Sequence, residues 1–322
     1  MKLKVLVVGG AGYIGGGTTE ELMKRKIPFS VYDNLTYENH YLKPVEFIYG
    51  DIRDHSKLKQ ILPNYSHVIW LAGLVGDPAC QLNPQLTKEI NQDSVEWISN
   101  NFDGRILFTS TCSVYGASDD PVNESSKTNP LSAYAQTKLN SENFLKDKDA
   151  LIFRLGTAFG ISDTYSRIRM DLAVNIMTMN AIKKGALTVF GGSQWRPFVH
   201  VNDIAQFLVD NLDRDVKGIY NIATENTTIV DLAKRIQEET GCKIETTEEK
   251  FQDNRNYNAD QSKALKDKVI PKTTERTLLH GIKQVKDLVN ENRVVNLENE
   301  FYSNVKRMTT ILEDYENNNI KQ

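Results

Sequence analysis

Cysteine is scarce in this chain: Cys80, Cys112 and Cys242 are the only three in 322 residues, and no two form a C-x-x-C pair. An odd number at wide spacing excludes a disulfide framework, offers no metal-ligand set, and suits a reducing cytosol. An excess of either charge is also missing. Lys+Arg 39 against Asp+Glu 42 leaves a net charge of -3, which argues against a protein built to neutralise a nucleic-acid backbone. No apolar run approaches the ~18–20 residues that span a bilayer. Met1–Val8 is too short for an export segment and meets a cluster of glycines at Gly9, Gly10 and Gly12, so it reads as a buried strand. A cytoplasmic protein with no membrane or nucleic-acid partner is expected. Internal repeats are absent, and low complexity is confined to Asn317–Asn319, a tail expected to fray.

The length is about twice the ~150 residues usual for one domain, so two lobes are expected, with a core that needs no staples. Short apolar runs at Lys4–Val8, Phe29–Tyr32, Val45–Tyr49, His67–Leu71, Arg105–Ser110 and Leu151–Leu155 read as strands. Helical patterns at Thr18–Lys26, Ser56–Leu62, Pro84–Asn100 and Ala133–Lys146 separate them. Buried strands alternating with helices imply a doubly wound parallel α/β sheet, covered on both faces by right-handed crossovers. Beyond Gly160 the rhythm loosens. Met170–Lys184 reads as a helix facing inward through Leu172, Ile176, Met179 and Ile182, followed by strands at Leu187–Phe190 and Gly218–Ala223. A helix over Ile229–Thr240 should stop at Gly241. Two late helices are marked by Leu278, Ile282, Val285 and Val289, and by Phe301, Val305, Met308 and Leu312.

Three local patterns carry chemistry. The first strand runs into Gly10-x-Gly12-x-x-Gly15, where glycines allow a tight turn, close approach of backbone N–H groups to a pyrophosphate, and close helix packing. Asp33 ends the second strand eighteen residues after Gly15. Its carboxylate either accepts from an adenosine ribose, favouring NAD over NADP, or caps a turn. After the third strand Asp51 and Ile52 either meet an adenine edge or belong to a capped loop. Tyr134 and Lys138, four apart on one helix, share a face. Such a pair is often decorative, but here hydroxyl-rich Thr109-Ser110-Thr111 leaves a parallel strand at the end where ligands of these sheets bind. A phenol with an ordinary pKa near 10 needs ~4 kcal/mol of phenolate stabilisation to act as a base near neutrality. A lysine cation and a cationic nicotinamide are expected to supply it.

Gly9-x-x-Gly12-x-x-Gly15, Asp33, Asp51, the run Thr109 to Gly116 and Tyr134-x-x-x-Lys138 together resemble an extended short-chain dehydrogenase/reductase. More narrowly they resemble the NAD-dependent nucleotide-sugar epimerase/dehydratase family, as do the run Trp195 to Asp203 and Tyr220 to Ala223. The resemblance implies a Rossmann domain over 1–166, with 193–223 returning to it, and a smaller substrate lobe formed mainly by 167–192 and 224–322. It implies NAD held by Gly9, Gly12, Tyr13, Ile14, Gly15, Asp33, Asn34, Asp51, Ile52, Leu71, Ala72 and Gly73, with Tyr134 and Lys138. Tyr134 is then the acid/base, Lys138 holds the nicotinamide ribose, and Thr111 bonds the reacting oxygen. Arg196 would grip a nucleotide diphosphate, with Arg255 and Tyr257 beside it; Arg167 and Asn175 complete the candidate substrate residues. A homodimer through the helices Pro84–Asn100 and Ala133–Lys146 is the family expectation.

Departures from the family pattern narrow the chemistry. Cys112-Ser113 replaces the Asp-Glu that follows the catalytic Thr in 4,6-dehydratases, and Cys112 lies one place early for an acid/base cysteine, so it reads as a packed residue. No diphosphate-binding Asn occurs in Arg154 to Gly160, Trp70 replaces a usual His, and Gly73 replaces a usual Ala. The expected activity is epimerisation at C4 of a nucleotide sugar through a transient 4-keto sugar. A C4 dehydrogenase or ketoreductase is the alternative, and a catalytically idle NAD-binding scaffold a second.

Overall fold

The computed structural model describes residues 2–247, 255–296 and 298–319. Its strands are β1 (Val5–Val8), β2 (Phe29–Asp33), β3 (Phe47–Tyr49), β4 (His67–Trp70), β5 (Arg105–Thr111) and β6 (Ala150–Leu155), then β7 (Thr157–Phe159), β8 (Ala186–Phe190), β9 (Trp195–His200), β10 (Gly218–Ile222), β11 (Glu225–Thr228) and β12 (Lys243–Thr247). Its helices are α1 (Tyr13–Lys24), α2 (His55–Ile61), α3 (Asp77–Leu82), α4 (Pro84–Lys88), α5 (Ser94–Asn101) and α6 (Ala133–Leu145), then α7 (Ala173–Lys184), α8 (Val201–Asp210), α9 (Ile229–Thr240), α10 (Ser262–Lys266), α11 (Leu278–Asn290) and α12 (Asn304–Asn319).

Seven parallel strands form the main sheet in the order β3-β2-β1-β4-β5-β6-β10. Residues of β1 alternate between two cores: Val5 and Val7 pack with Leu22, Phe153 and Leu208, while Leu6 and Val8 pack with Tyr32, Trp70 and Phe108. Both faces are therefore covered, the condition that allows uninterrupted apolar strands. The chain reverses direction across the sheet between β1 and β4, and a crevice opens at the carboxyl ends of the strands there. Beyond the sheet, β9 pairs with β7 and β11, and β8 with β12. A third core joins α7, α9, β8 and α11 through Val174, Leu187, Leu232, Ile236 and Ile282.

Several boundaries differ from the sequence reading. Helix α1 begins at Tyr13, not Thr18, because Gly15, Gly16 and Gly17 lie inside it. Glycine's poor helix propensity is overridden where any side chain would collide: a Cβ on Gly16 would sit 2.3 Å from Asp163 Oδ1. The single helix expected over Pro84–Asn100 is broken into α4, a π-helical turn (Glu89–Asp93) and α5, with α3 preceding it. Asn83 caps α4 by accepting from Leu86 N, and Pro84 fits its first turn. Helix α7 turns a different face inward, burying Val174, Asn175, Thr178, Met179 and Ala181 and leaving Ile176 exposed. Two polar residues in the buried stripe hid it from a hydrophobicity pattern. In the last helix only Met308 of the four marked positions is fully buried; Phe301 lies outside, in a 3-10 turn (Glu300–Tyr302), and the helix runs on through the tail to Asn319.

Among the described residues no helix is long and apolar enough to cross a membrane, and no group of three or more His, Cys, Asp or Glu is arranged to hold a metal.

Candidate active site

The crevice is lined by Gly9, Gly12, Asp33, Asn34, Asp51, Ile52, Leu71, Ala72 and Gly73, together with Tyr32, Thr36, Tyr37, Glu38, Gly50, Leu74 and Ile90. Its floor depends on the glycine loop. Gly9 has φ +83, and a Cβ there would lie 2.4 Å from Ala72 N at the end of β4. A Cβ on Gly15 would lie 2.5 Å from Gly10 O, so the third glycine seats the loop on its own helix rather than helix on strand. At Gly12 the nearest atom to such a Cβ is Gly9 O at 3.4 Å, which leaves the mouth of α1 clear for a phosphate. The Tyr13 side chain is engaged elsewhere. Its hydroxyl donates to Gly160 O at 2.7 Å and is buried, anchoring α1 to the loop after β7. Ile14, partly buried, packs against the core beneath.

Asp33 caps a turn, one of the two roles that its position allows. Oδ2 accepts from Ala11 N at 3.0 Å and Oδ1 from Leu35 N at 2.8 Å. Burial still raises its pKa, against those backbone bonds. A carboxylate has about four acceptor sites, so capacity for a ribose diol remains. Burial also opposes the charge on Asp51, but hydrogen bonds from Arg53 and Asn34 prevail and hold it below the usual carboxylate range.

Tyr134 and Lys138 stand on α6 beside the end of β5. Tyr134 stands beside Thr111, whose hydroxyl eases its ionisation, and Thr111 Oγ1 accepts from Ser113 N at 3.1 Å, which fixes the turn after the strand. Lys138 is buried; its Nζ donates to Thr109 O at 2.9 Å and lies 4.7 Å from the Phe108 ring centroid. A Cβ on Gly73 would come within 3.6 Å of Lys138 Nζ and 3.0 Å of Asn91 Oδ1, so glycine leaves room there for the ammonium. The expected electrostatics need correction. Burial, reinforced by the charge of Asp77, raises the Tyr134 pKa above its ordinary value, and only Arg169 and Thr111 oppose this. Burial also pushes the Lys138 ammonium down to about 8. The protein alone therefore keeps the phenol protonated, and further positive charge must come from a bound ligand.

The substrate candidates divide. Arg196 is buried on β9 and donates to Trp195 O and Arg255 O, with its guanidinium 5.7 Å from the Tyr257 ring centroid. Arg255 Nη1 lies 3.0 Å from Asp77 Oδ2 and 3.4 Å from Ser113 Oγ, and Tyr257 Oη lies 3.2 Å from that same Ser113 oxygen. These three surround the loop that follows Thr111. Asn175 and Arg167 are committed elsewhere, contrary to the sequence reading. The Asn175 amide is buried and satisfied by Gly160 N, Gly160 O and Arg169 O. Arg167 donates to Phe301 O and Asn304 Oδ1 and stacks on Tyr37, so it joins the C-terminal segment to the crevice wall. Cys112 is buried and donates to Arg154 O at 3.2 Å, and burial raises its thiol pKa.

Sequence reading missed Asp77, Asn91, Glu38 and Tyr37. Asp77 opens α3 after Gly76 (φ +100), and a Gly-Asp-Pro start is a legible helix signal; its carboxylate accepts from Ser132 Oγ at 2.6 Å. Asn91 sits in the π-helical turn and bonds both Leu74 N and Leu74 O, which holds the loop after β4. Such turns recur at functional sites. Glu38 accepts from Arg167 N, and burial pushes its carboxyl up to about 7. Neither Glu38 nor Tyr37 carried a periodic or motif signal.

A doubly wound sheet with this glycine loop, an acid lining the crevice at the end of β2 and a Thr–Tyr–Lys group at the end of β5 defines an enzyme of the extended short-chain dehydrogenase type. A model described as the NAD dependent epimerase/dehydratase family matches residues 5–223, and the chain belongs to that family. Among curated proteins it is similar to a UDP-glucose 4-epimerase of Rhizobium meliloti, 28% identical over 72% of this chain and 80% of that one. It is also similar to a UDP-N-acetyl-alpha-D-glucosaminuronate decarboxylase of Bacillus cytotoxicus, 26% identical over 74% of this chain and 81% of the other. In fold it matches a solved UDP-glucose 4-epimerase with UDP-glucose from Thermotoga maritima, with a TM-score of 0.75 and 22% identity over 89% of this chain and 100% of that chain. NAD is the cofactor of the family, and the residues present fit it. The clear helix mouth at Gly12 suits a pyrophosphate, and the Asp33 carboxylate would accept a ribose diol and repel a 2′-phosphate.

Proposed function

We propose that this protein is a nucleotide-sugar epimerase acting at C4 through a transient 4-keto sugar. The observation that carries this reading is the make-up of the group around Thr111. Thr111 and Tyr134 stand beside one another at the end of β5, with Lys138 one turn further along α6 and bonded to Thr109 O, while positions 112 and 113 hold a buried thiol and a serine, not carboxylates. Loss of water from a 4-keto sugar would call for a further acid/base group placed for that step. Asp77, whose charge acts on Tyr134, is engaged by Ser132 and Arg255. NAD, when bound, supplies the hydride acceptor and returns the hydride.

The chain's own residues do the proton work. Thr111 orients the C4 hydroxyl, and Tyr134 takes its proton as the C4 hydrogen departs. Lys138 holds the ribose, and the phenolate is stabilised by Arg169, by the Thr111 hydroxyl and by the positive charge that the bound cofactor brings. Arg196 and Arg255 suit a diphosphate, which a guanidinium fork binds in two places. With the diphosphate held, the keto sugar turns its other face, and Tyr134 gives back its proton as the carbonyl is reduced. The test is a panel of UDP-, GDP-, dTDP- and CDP-sugars followed by nuclear magnetic resonance. Interconversion of C4 epimers without net NADH supports the reading. Steady NADH formation, or a dehydrated or decarboxylated product, would replace it with the corresponding reaction.

A further inference from the structure

Asp77 stands where three parts of the site meet. It follows Gly76, whose φ of +100 turns the loop after β4 into α3. Its Oδ1 accepts from Ser132 Oγ at 2.6 Å, and Ser132 is the residue that caps α6, the helix of Tyr134, by accepting from Ala135 N. Its Oδ2 lies 3.0 Å from Arg255 Nη1. That same nitrogen lies 3.4 Å from Ser113 Oγ, in the turn that follows Thr111. The Asp77 and Arg255 side chains keep 19% and 31% of their surface exposed, so a ligand can reach the pair.

The charge of Asp77 is felt at the reacting phenol. Tyr134 packs on Ala79 and Cys80 of α3, and the Asp77 carboxylate opposes its ionisation. A sugar whose C4 hydroxyl meets Thr111 and Tyr134 carries its C5 substituent on the neighbouring carbon. Turning the ring over moves that substituent to the other side of C4 but not away from it. In one class of nucleotide sugars the substituent is uncharged, and in another it is a carboxylate. A second carboxylate at this place would be repelled by Asp77. Arg255, whose fork suits a carboxylate, is already drawn to Asp77 and Ser113. Selectivity arises from a group that repels the wrong ligand as much as from contacts to the right one.

We propose that Asp77 is a specificity-determining residue: it admits nucleotide sugars uncharged at C5 and rejects those with a carboxylate there, by its own charge and by its hold on Arg255. This rests on the nucleotide-sugar reading above and names the substrate class of that site.

The experiment measures binding and turnover by the full chain loaded with NAD, for UDP-glucose against UDP-glucuronate and for GDP-mannose against GDP-mannuronate. Wild-type protein should bind the neutral member of the preferred pair at least tenfold more tightly. Asp77→Asn keeps an acceptor for Ser132 but removes the charge; it should tighten the uronate about tenfold and leave the neutral sugar within about threefold. Ser132→Ala removes the bond to Asp77 and the cap of α6 but no charge, so it should slow both sugars alike and leave their ratio unchanged. Neutral sugars bound at the expected ratio but converted by another reaction would support the proposal and replace the epimerase reading. A ratio that Asp77→Asn leaves at the wild-type value, or that Ser132→Ala shifts as far, would overturn the proposal and leave that reading intact. Wild-type protein that binds the uronate as tightly as the neutral sugar would do the same. Wild-type protein that binds no nucleotide sugar of the panel would overturn both.

Discussion

Glu142 and Arg154 form a buried ion pair behind the reacting groups, and its removal gives the sharpest stability prediction. Glu142 Oε2 lies 2.7 Å from Arg154 Nη2, Oε1 lies 3.0 Å from Nε, and Oε1 also accepts from Ser110 Oγ at 2.5 Å. Arg154 Nη1 donates to Tyr115 Oη at 2.9 Å, and that hydroxyl donates to Asn221 Oδ1 at 2.7 Å. Both charged side chains are almost wholly buried, at 2% and 4% exposure. Removing one partner strands the other, which costs about 3–5 kcal/mol, a large share of the ~5–15 kcal/mol that holds most domains folded. Glu142→Leu and Arg154→Met should each show that loss. The double variant Glu142→Leu/Arg154→Met removes both charges and should lose about 2–3 kcal/mol less than the sum of the singles. Denaturant titration of cofactor-free protein is the assay, because bound NAD would add its own stabilisation. Singles that lose less than about 1 kcal/mol, or a double variant at the full sum, would refute the reasoning. Activity is affected as well: Ser110 precedes Thr111, and Glu142 follows Lys138 and Tyr134 on the same face of α6.

Gly9→Ala should destabilise by about 2 kcal/mol or more and weaken NAD binding in calorimetry, because a positive φ and a backbone clash at Ala72 coincide; wild-type affinity in that variant would contradict the loop's role. Lys138→Met should abolish turnover without lowering stability at pH 7. Burial holds the folded-state pKa at about 8 against 10.5, so keeping the ammonium charged costs about 3 kcal/mol at neutrality, while the lost bond to Thr109 O gives back about 1. Between pH 8 and 10.5 the unfolded chain binds the proton that the folded one has released, so wild-type stability should rise relative to the variant across that window. Melting curves of both proteins across it are the check, and parallel curves would count against the assignment.

The N-terminal half was legible because its signals are local. Six short apolar strands, the glycine loop and Asp33 each need only neighbours in sequence to be read. Arg255 and Tyr257 could be named from a motif, but not their place beside Ser113, which depends on residues 256 and 259 pairing with Ala117 and Val122. Arg167 and Asn175 were misassigned because polar residues near a ligand site and polar residues that staple a loop look alike until their partners are known. The phenol's electrostatics were misjudged for a related reason. Sequence shows that Lys138 follows Tyr134 by four, but burial, which works against the charge on both groups, is a property of the folded packing. The packing of the C-terminal segment was the least visible part, since Arg307 and Met308 reach back more than 200 residues to Thr36 and Leu74.

The central claim is that Tyr134 and Thr111 serve one reversible oxidation at a sugar carbon. It is tested most directly with a nucleotide sugar deuterated at C4, incubated with wild-type protein and with Tyr134→Phe. Wild-type protein should yield the C4 epimer with deuterium still at C4 and no accumulating NADH, and the phenylalanine variant should bind the sugar but turn it over at least a hundredfold more slowly. Epimer formed with loss of the label, or a Tyr134→Phe protein as fast as wild type, would contradict the claim.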